Sequence, residues 1–507
     1  METSHQPRYA KVIDHTRCIG CHACTTACKS ENDVPLSVTR TYVKSVDVGT
    51  FPAARRAFQV TRCNQCDDAP CVAACPTTAM YRRPDGIVDF DKSICIGCKA
   101  CIAACPYDAI FINPRDHSAE KCNFCAHRLD MSLEPACVVV CPTEAIIIGD
   151  MDDPSTKVAQ IINRQPVSVR RPEKETHPKL FYRGAHQATL DPIAATRPPG
   201  NLYAWATQPQ GPNEIGSGHP SPSHANSSAA ALLSYDVSHK MPWDWRVSLY
   251  TWTKSLAAGI YLAAVLVAIF GGISWTSTLM RWVVPIGSGA FLGLTGIILI
   301  ADLEHPERFY MIFTKHQWRS WLVRGAFIIG AYSIVLLVHF LASLSDNVVV
   351  QQRAAIAGVP LSLMTAVYTG YLFAQSKARD LWQNPLLPPH LFVQAILAGS
   401  CVLSVFAIAL DLPSRDALLW LVSISALAHL LFVLSEFTLG HPTAHARLAA
   451  HNMIAGKYAR WFWPSIVGVA IAVFAPWLWW IASFVALIGL FLYEHAYVQA
   501  GQSVPLA

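Results

Sequence analysis

The sequence predicts two parts of different fold class: a cysteine-rich α+β domain, then an all-α polytopic membrane domain of eight transmembrane helices. Only 14% of the 507 residues are charged, and the mean hydropathy is +0.31. An ordinary soluble domain has roughly 25% charged residues, so much of this chain is expected in lipid. All but one of the 17 cysteines lie between Cys18 and Cys141, and the exception is Cys401. Thiol chemistry and a membrane domain are therefore expected in separate parts of the chain.

The composition also excludes some classes of protein. With 52% apolar residues the chain cannot remain solvated as a disordered protein. The net charge of +5 is too small and too dispersed to indicate a nucleic-acid partner.

Residues 1–150 form the predicted cysteine-rich domain, in which the cysteines fall into four groups of four. Short apolar runs such as 86–90 and 145–148 predict short strands between single helical turns. The first and third groups share the spacing C-x2-C-x2-C-x3-C, and segment 95–105 closely repeats segment 18–28. In chain order, the groups are Cys18, Cys21, Cys24 and Cys28; Cys63, Cys66, Cys71 and Cys75; Cys95, Cys98, Cys101 and Cys105; and Cys122, Cys125, Cys137 and Cys141.

This spacing is typical of iron–sulfur proteins. Three closely spaced thiolates can bind three irons of one cluster, while the fourth reaches a neighbouring cluster. Sixteen thiolates in fours thus predict four [4Fe–4S] clusters. Disulfides are disfavoured by the tight C-x2-C spacing and by the cytoplasmic orientation inferred below. Zinc knuckles do not explain the C-x2-C-x2-C-x3-C-P arrangement.

The four groups, with eleven residues between Cys125 and Cys137, resemble the four-cluster ferredoxin subunit of the complex iron–sulfur molybdoenzymes, the dimethyl sulfoxide and polysulfide reductase superfamily. The resemblance implies crossed ligation, in which the first group pairs with the fourth and the second with the third. Some members of this superfamily replace one cysteine of the third group and hold a three-iron cluster there. Here all four cysteines of that group are present, so no three-iron cluster is expected. Carried onto this chain, the implied clusters are held by Cys18, Cys21, Cys24 and Cys141; Cys28, Cys122, Cys125 and Cys137; Cys63, Cys66, Cys71 and Cys105; and Cys75, Cys95, Cys98 and Cys101.

Residues 151–245 are predicted to be a partner-facing extension and a flexible linker. Periodicity is lost there, and Pro, Gly, Ser, Asn and Gln accumulate between Gln208 and Ala229. The section that faces a partner is expected around 179–182.

Residues 246–500 contain the apolar stretches that predict the membrane domain. A helix needs about 20 residues to cross a hydrocarbon core of about 30 Å, and most of the stretches reach that length. The boundary between the last two, at Ala475-Pro476, has almost no loop. The eight stretches are 249–273, 279–301, 320–343, 355–375, 390–410, 416–438, 460–475 and 476–498.

The loops between these stretches predict the orientation. An even number of crossings returns the C-terminus to the side of the cysteine domain, and the loops on that side are the more basic. We therefore expect a multi-pass protein of the cell inner membrane with its iron–sulfur domain in the cytoplasm, and residues 1–17 contain no apolar signal core. Basic loops that dock a partner are the alternative explanation. Lys and Arg on the cysteine-domain side are Arg308, Lys315, Arg319, Lys377, Arg379, Arg447, Lys457 and Arg460, against Arg281, Arg353 and Arg415 opposite.

The membrane half resembles the quinone-active NrfD-like subunit of the polysulfide reductase type. The resemblance covers most of residues 243–498 and is carried by Trp245, Leu256–Gly259, Asp302–Phe309, Tyr368–Gly370 and Leu381–Pro385. It implies a quinone pocket formed by polar residues of the first and fourth helices. Haem is disfavoured because the histidines, His339, His390, His429 and His495 among them, do not form a pair at matched depth.

The residues that match the implied quinone site are few. Tyr250 stands where some relatives have a His, Val247 stands at an Asn position, and Tyr368 matches the fourth-helix Tyr. Lys254 lies one turn beyond Tyr250 on the same face and is the expected substitute hydrogen-bond donor. Tyr250 as an interfacial aromatic and Lys254 as a snorkelling side chain are the structural alternatives.

Two further groups are candidates for a proton relay between quinone and water. They are Asp302 and His305, which follow the second helix, and a helix cap with loop ion pairing is the alternative role. Glu436 is a weaker relay candidate, and Cys401 is expected to be a small packing residue.

The sequence therefore predicts an electron-transfer and membrane-anchor subunit. It would relay electrons between a molybdopterin-containing catalytic subunit and the membrane quinone, menaquinone or ubiquinone, with no catalytic residues of its own. The alternatives are a hydrogenase-associated relay and an ion-translocating module that uses Lys254, Asp302, His429 and Glu436.

Overall fold

The computed structural model describes residues 6–196 and 231–506. The linker predicted between Gln208 and Ala229 lies outside the described residues. The chain divides into two compact units, one from Met1–Lys240 with Pro505–Ala507 and the other from Met241–Val504.

The first unit is a mixture of short strands and short helices. Its strands are β1 Tyr9–Asp14, β2 Thr41–Val48, β3 Arg55–Arg62, β4 Met80–Arg82, β5 Val88–Phe90, β6 Ile110–Ile112, β7 Ala119–Lys121, β8 Ile146–Asp150, β9 Val167–Ser168, β10 Leu180–Arg183 and β11 Ala231–Tyr235. Its helices are α1 Ala23–Glu31, α2 Pro70–Ala74, α3 Ala100–Ala104, α4 Ala126–Leu129, α5 Ala136–Val139, α6 Lys157–Arg164 and α7 Gln187–Leu190.

Two larger sheets and two hairpins support the cysteine segments. One sheet has the order β8-β1-β10-β9, with β1 antiparallel to β8 and parallel to β10. The other has the order β11-β2-β3, and β4-β5 and β6-β7 are two-stranded. Consecutive residues of β1 such as Val12 and Ile13 are both fully buried, which shows that this strand is covered on both faces.

The repeated cysteine segments adopt the same local conformation. Gly20 has φ +70° and His22 has φ +60° before α1, while Gly97 has φ +69° and Lys99 has φ +62° before α3. This left-handed backbone turns the chain sharply between the first cysteines, so that their sulfurs can face one point.

The second unit is helical. Its helices are α8 Trp245–Ile269, α9 Val284–Ala301, α10 Met311–Thr314, α11 Trp321–Leu344, α12 Val348–Gln375, α13 Leu387–Ala409, α14 Arg415–Thr438, α15 Ala444–Ile454, α16 Ala459–Ala472, α17 Ala475–Leu478 and α18 Trp480–Gln502. A π-helical turn, Leu279–Val283, leads into α9.

Within the described residues, seven helices are long and apolar enough to span a membrane: α8, α9 with its π-helical turn, α11, α12, α13, α14 and α18. The seventh predicted stretch forms α16, which has 14 residues and contains Pro464, followed by the short α17. Trp479, with φ +54°, separates α17 from α18. The predicted count of eight spans therefore remains a prediction.

Helix α8 is the most enclosed of these spans. In its most apolar window 83% of the residues are buried, against 28% for α11. It meets α13 at Gly259 and Gly399, where a Cβ on Gly259 would overlap the carbonyl group of Ala395. Because two backbones touch there, only glycine fits.

Candidate iron–sulfur and membrane sites

Three small cavities in the first unit are each lined by four cysteines. In each one, three cysteines come from one group and the fourth from another. The sets are Cys18, Cys21, Cys24 and Cys141; Cys63, Cys66, Cys71 and Cys105; and Cys75, Cys95, Cys98 and Cys101. The cysteines of the remaining set also lie close together. Their proximity shows in the electrostatic interactions of Cys28 with Cys122, Cys125 and Cys137.

Backbone amides point at several of these sulfurs. The amide of Ala145 lies 3.2 Å from Cys141 Sγ, and the amide of Ala119 lies 3.4 Å from Cys95 Sγ. An N–H donor stabilises a thiolate, which is the form of cysteine that binds iron.

Side-chain donors surround the set of Cys28, Cys122, Cys125 and Cys137. Arg62 Nη1 donates to Cys137 Sγ at 3.0 Å, and Lys11 Nζ lies 3.6 Å from the same sulfur. Asn32 Nδ2 lies 3.7 Å from both Cys28 Sγ and Cys125 Sγ. Three sulfurs of this set thus have a polar side chain within hydrogen-bonding range.

The pKa of the Cys137 thiol reflects these neighbours. Burial by itself would raise this pKa, but the charges of Lys11 and Arg62 outweigh burial and lower it to about 7. By contrast, burial raises the pKa of the Cys24 and Cys105 thiols to about 11. Cys137 is therefore the cysteine whose surroundings most strongly favour the thiolate among these three.

The cations beside Cys137 also test whether a cluster fits. Arg62 is 1% exposed, and its Nε and Nη2 atoms have no hydrogen-bond partner among the described residues. A buried cation without an anion costs several kcal/mol. A cluster held by four thiolates is anionic, so it supplies the missing partner, and the residues present fit it.

In the membrane unit, the structure brings together three residues that the sequence singled out. Lys254 Nζ donates to the carbonyl oxygen of Ala366 at 2.6 Å and lies 5.1 Å from the centre of the Tyr368 ring. Electrostatic interactions link Tyr250 to Tyr368 and Asp302. Because Lys254 is fully buried, its side chain does not snorkel to the membrane surface in this structure.

Packing holds the Tyr368 ring in place. A Cβ on Gly325 of α11 would overlap this ring, so the ring occupies the space that glycine leaves. Asp302 caps the C-terminus of α9 and is buried. His305 lies in the following loop, where its Nδ1 is 2.9 Å from Glu307.

Sequence reasoning missed Glu494. This residue of α18 is buried, interacts electrostatically with both Lys254 and Tyr250, and has an Oε1 atom without a hydrogen-bond partner among the described residues. The signal was present, because an acidic residue inside an apolar helix is costly and by default functional.

A second buried polar cluster involves α13, α14 and α18. His390 Nε2 lies 2.9 Å from His429 Nδ1, and the Tyr493 ring contacts both imidazoles. Glu436 accepts hydrogen bonds from Asn384 and Tyr493, each at 3.3 Å. The expectation that the histidines do not pair in depth is thus wrong for His390 and His429: the two helices place their rings in direct contact.

Comparison with known proteins assigns the membrane unit. Residues 234–505 match the family described as polysulphide reductase, NrfD. This chain therefore belongs to the NrfD family. Residues 55–151 match the 4Fe-4S dicluster domain, so the NrfD domain is fused to a ferredoxin-type iron–sulfur domain.

Proteins similar to this chain include components of several reductases. One component of the tetrathionate reductase of Salmonella typhimurium is 42% identical over 39% of this chain and 81% of its own length. One component of the polysulfide reductase of Wolinella succinogenes is 44% identical over 34% of this chain and 93% of its own length. The thiosulfate reductase electron transfer subunit PhsB of Salmonella typhi is 48% identical over 25% of this chain and 69% of its own length.

These findings confirm the resemblance stated from the sequence. The protein is a multi-pass membrane protein that carries an electron-transfer domain with iron–sulfur clusters and an NrfD membrane domain.

Proposed function

We propose that this chain relays electrons between a molybdopterin-containing catalytic subunit and a quinone in the membrane. The observation that carries the proposal is the grouping of its cysteines into fours, fused to a helical domain with a buried Lys254–Tyr368 site. The similarity to components of tetrathionate, polysulfide and thiosulfate reductases supports a catalytic partner of that class.

Four [4Fe–4S] clusters are proposed, with the crossed ligand sets given above. Three of the sets line separate cavities, and in the fourth Cys28 interacts with Cys122, Cys125 and Cys137, which supports this assignment. When bound, the clusters supply one-electron transfer chemistry. The chain contributes thiolates, N–H donors and the exclusion of water.

The quinone, menaquinone or ubiquinone, is proposed to bind beside Tyr250, Lys254 and Tyr368. Its reduction to quinol takes two electrons and two protons. The Lys254 ammonium is the expected hydrogen-bond donor to a quinone oxygen, and its bond to Ala366 O fixes the position of the amine. Glu494, which interacts electrostatically with Lys254 and Tyr250, is proposed to exchange a proton with this site. Asp302 and His305 are proposed to pass protons to water.

Eight membrane crossings are proposed, with α16 and α17 together forming the additional crossing. With this even count, the more basic loops lie on the side of the iron–sulfur domain, which supports a cytoplasmic iron–sulfur domain in an inner-membrane protein. A cytoplasmic catalytic partner would suit the oxidation of an internal donor with quinone as the acceptor.

Ion translocation is the second candidate function. It is favoured by the buried chain of His390, His429, Tyr493 and Glu436, because ionisable groups inside a bundle commonly mark ion pathways. If the chain only transfers electrons to quinone, turnover in detergent should proceed without any proton gradient. In sealed vesicles, only a pump would couple turnover to proton movement against a gradient.

The decisive experiment is anaerobic purification with native partners. We expect about sixteen irons per chain (four clusters of four), a co-purifying molybdopterin subunit identified by mass spectrometry, and clusters that are reoxidised when a quinone analogue is added. Far fewer irons, or reduced clusters that do not respond to quinone, would contradict the proposal.

A further inference from the structure

Two buried cations converge on one cysteine sulfur in the first unit. Lys11 lies on β1 and Arg62 ends β3, and both reach Cys137 Sγ, at 3.6 and 3.0 Å. Lys11 is fully buried and also lies 4.5 Å from the ring centre of Phe124. Strands from different sheets thus bring two positive charges to the same point.

Neither cation is balanced by a carboxylate. Among the described residues no acidic side chain lies within ion-pair distance of Lys11 or Arg62, whereas the buried Arg40 pairs with Glu120 at 2.7 Å. The buried guanidinium of Arg40 is thus neutralised by an acidic side chain, whereas that of Arg62 beside Cys137 is not. A cluster held by the thiolates would be the anionic group that faces these two cations.

We propose that Arg62 and Lys11 make the cluster held by Cys28, Cys122, Cys125 and Cys137 the most oxidising of the four, so that a single electron entering the domain rests there. This inference depends on the proposed ligand assignment. One-electron reduction adds one negative charge to the cluster and changes no bond at the thiolates. Two fixed positive charges in a water-excluded interior stabilise that added charge. The electron comes from the donor oxidised by the partner complex.

Asn32 adds to the same effect. Its Nδ2 donates to the carbonyl oxygen of Cys28 at 3.1 Å and lies 3.7 Å from Cys28 Sγ and Cys125 Sγ. Its Oδ1 accepts from Arg40 Nη1 at 2.7 Å, which holds the amide beside the two sulfurs. The set of Cys63, Cys66, Cys71 and Cys105 has one buried cation rather than two, because Lys121 hydrogen-bonds to Cys63 and its charge also acts on Cys71. Elsewhere the described sulfur contacts include backbone amides, such as that of Ala119 at Cys95. Neutral amides stabilise a reduced cluster less than cations do.

The test is an anaerobic redox titration of the purified complex, followed by electron paramagnetic resonance. Arg62→Gln and Lys11→Gln are each expected to lower the equilibrium constant for reduction of the highest-potential cluster at least tenfold. For a one-electron step this lowers its midpoint potential by about 59 mV. In Lys11→Gln the other three midpoints should stay in place. In Arg62→Gln the cluster of Cys18, Cys21, Cys24 and Cys141 should shift less than the highest-potential one, because the charge of Arg62 also acts on Cys18 and Cys24. Arg62→Lys keeps the positive charge, so its midpoint potential should stay close to that of the wild type.

Arg56→Gln is the matched control. Arg56 lies on the same strand, is exposed, and pairs with Asp47 at 2.6 Å, so its loss removes the same charge at the surface. No midpoint should move in this variant. A highest-potential signal whose reduction equilibrium shifts less than twofold in Arg62→Gln and Lys11→Gln, or a larger shift of a different signal, overturns the inference.

Failure of the ligand assignment gives a different result. Cys28→Ser should alter the same signal that Arg62→Gln moves. If Cys28→Ser alters another signal, the crossed ligand set is wrong, although Arg62 still tunes a cluster. If Arg62→Gln removes all signals because the domain does not load iron, the Lys11→Gln and Arg62→Lys titrations decide the inference.

Discussion

His239 lies between two carboxylates in the iron–sulfur domain. Its Nδ1 contacts Asp108, its Nε2 is 3.1 Å from Asp236, and its ring packs on Tyr42. Burial would lower the pKa of this imidazole, but the hydrogen bonds to Asp108 and Asp236 outweigh burial and raise it to about 9. The histidine is therefore a charged link between the segment after β11 and the loop that follows Cys105.

This link predicts a pH dependence of stability. Since an unfolded histidine has a pKa of about 6.5, the link stabilises the domain fully below that pH, and the stabilisation is lost as the pH rises through about 9. The amount is on the order of 3 kcal/mol. Thermal loss of cluster absorbance in the detergent-solubilised protein should therefore shift to lower temperature between pH 6.5 and 9.

Two variants check the assignment of this pH dependence to His239. His239→Gln should be less stable than the wild type at pH 6.5 and should lack the shift between pH 6.5 and 9. His177→Gln is the control, because His177 pairs with Asp68 at the surface with a side chain 69% exposed. An unchanged pH profile in His239→Gln would contradict the prediction.

Tyr368 offers a prediction for the membrane site. The Lys254 ammonium lies over its ring. A quinone bound beside Lys254, as proposed, would therefore lie near Tyr368, and the Tyr368 hydroxyl is a candidate hydrogen-bond partner for it. Tyr368→Phe keeps the ring and removes the hydroxyl, and should slow quinone reduction by about tenfold, the worth of one strong hydrogen bond. Iron content and cluster spectra should be unchanged.

The control for Tyr368 lies on the same helix. Tyr371 is partly exposed and stacks on Trp321, with ring centres 4.5 Å apart. Tyr371→Phe should leave quinone kinetics as in the wild type. Equal kinetics for Tyr368→Phe and the wild type would remove Tyr368 from the quinone site.

At the scale of elements, the crossing of α8 and α13 depends on two glycines. A Cβ on Gly259 would overlap the backbone of Ala395, and one on Gly399 would overlap the backbone of Gly259. Backbone cannot move aside as a side chain can. Gly259→Ala should therefore force the helices apart and lower stability by about 1–3 kcal/mol, with an earlier thermal transition in detergent.

Gly293 is the matched control for this crossing. It lies in α9, and an added Cβ there would meet nothing within 4 Å. Gly293→Ala should leave the thermal transition in place or raise it slightly, because alanine favours the helix. If the two alanine variants melt together, the α8–α13 contact is not the one that limits stability.

Elements could be predicted from sequence where local pattern determines them. The repeat of segment 18–28 in segment 95–105 predicted two equivalent modules, and long apolar runs predicted α8 and α11–α14. The run at 460–475 forms the 14-residue helix α16, which ends at Ala472, and the apolar composition of the run does not mark that end. Apolar length alone does not show where a helix ends.

Contacts between elements were harder to predict. Lys254 and Tyr368 could be paired because a family resemblance named both helices. Glu494 and the His390–His429 contact depend on how α18, α13 and α14 pack, which no single segment encodes. The uncompensated charges of Lys11 and Arg62 likewise appear only once β1 and β3 are folded.

At the scale of the whole molecule, the residues of the proposed quinone site and of the histidine–glutamate cluster lie near corresponding ends of their helices, whereas His339 and Gln351 lie toward the other ends. Lys254 and His390 lie in the first halves of α8 and α13, whereas Tyr368, Glu436 and Glu494 lie in the last halves of α12, α14 and α18. In the proposed topology, both positions fall in the same half of the bilayer. That half is the one bordered by the more basic loops, so proton exchange is expected from the cytoplasm.

The orientation itself gives the last prediction. A reporter enzyme that works only in the cytoplasm should be active when it is fused after residue 507, and one that works only in the periplasm should be inactive there. The reason is that the basic loops around Arg308, Arg379 and Arg447 are retained on the cytoplasmic side. The same reporter inserted at Asp346, between α11 and α12, should be active only in its periplasmic form. Activity of the C-terminal fusion in the periplasm would contradict the cytoplasmic placement of the iron–sulfur domain. If both fusions are active on one side of the membrane, the crossings after α11 do not add up to an odd number, and α16 with α17 would then not form a span.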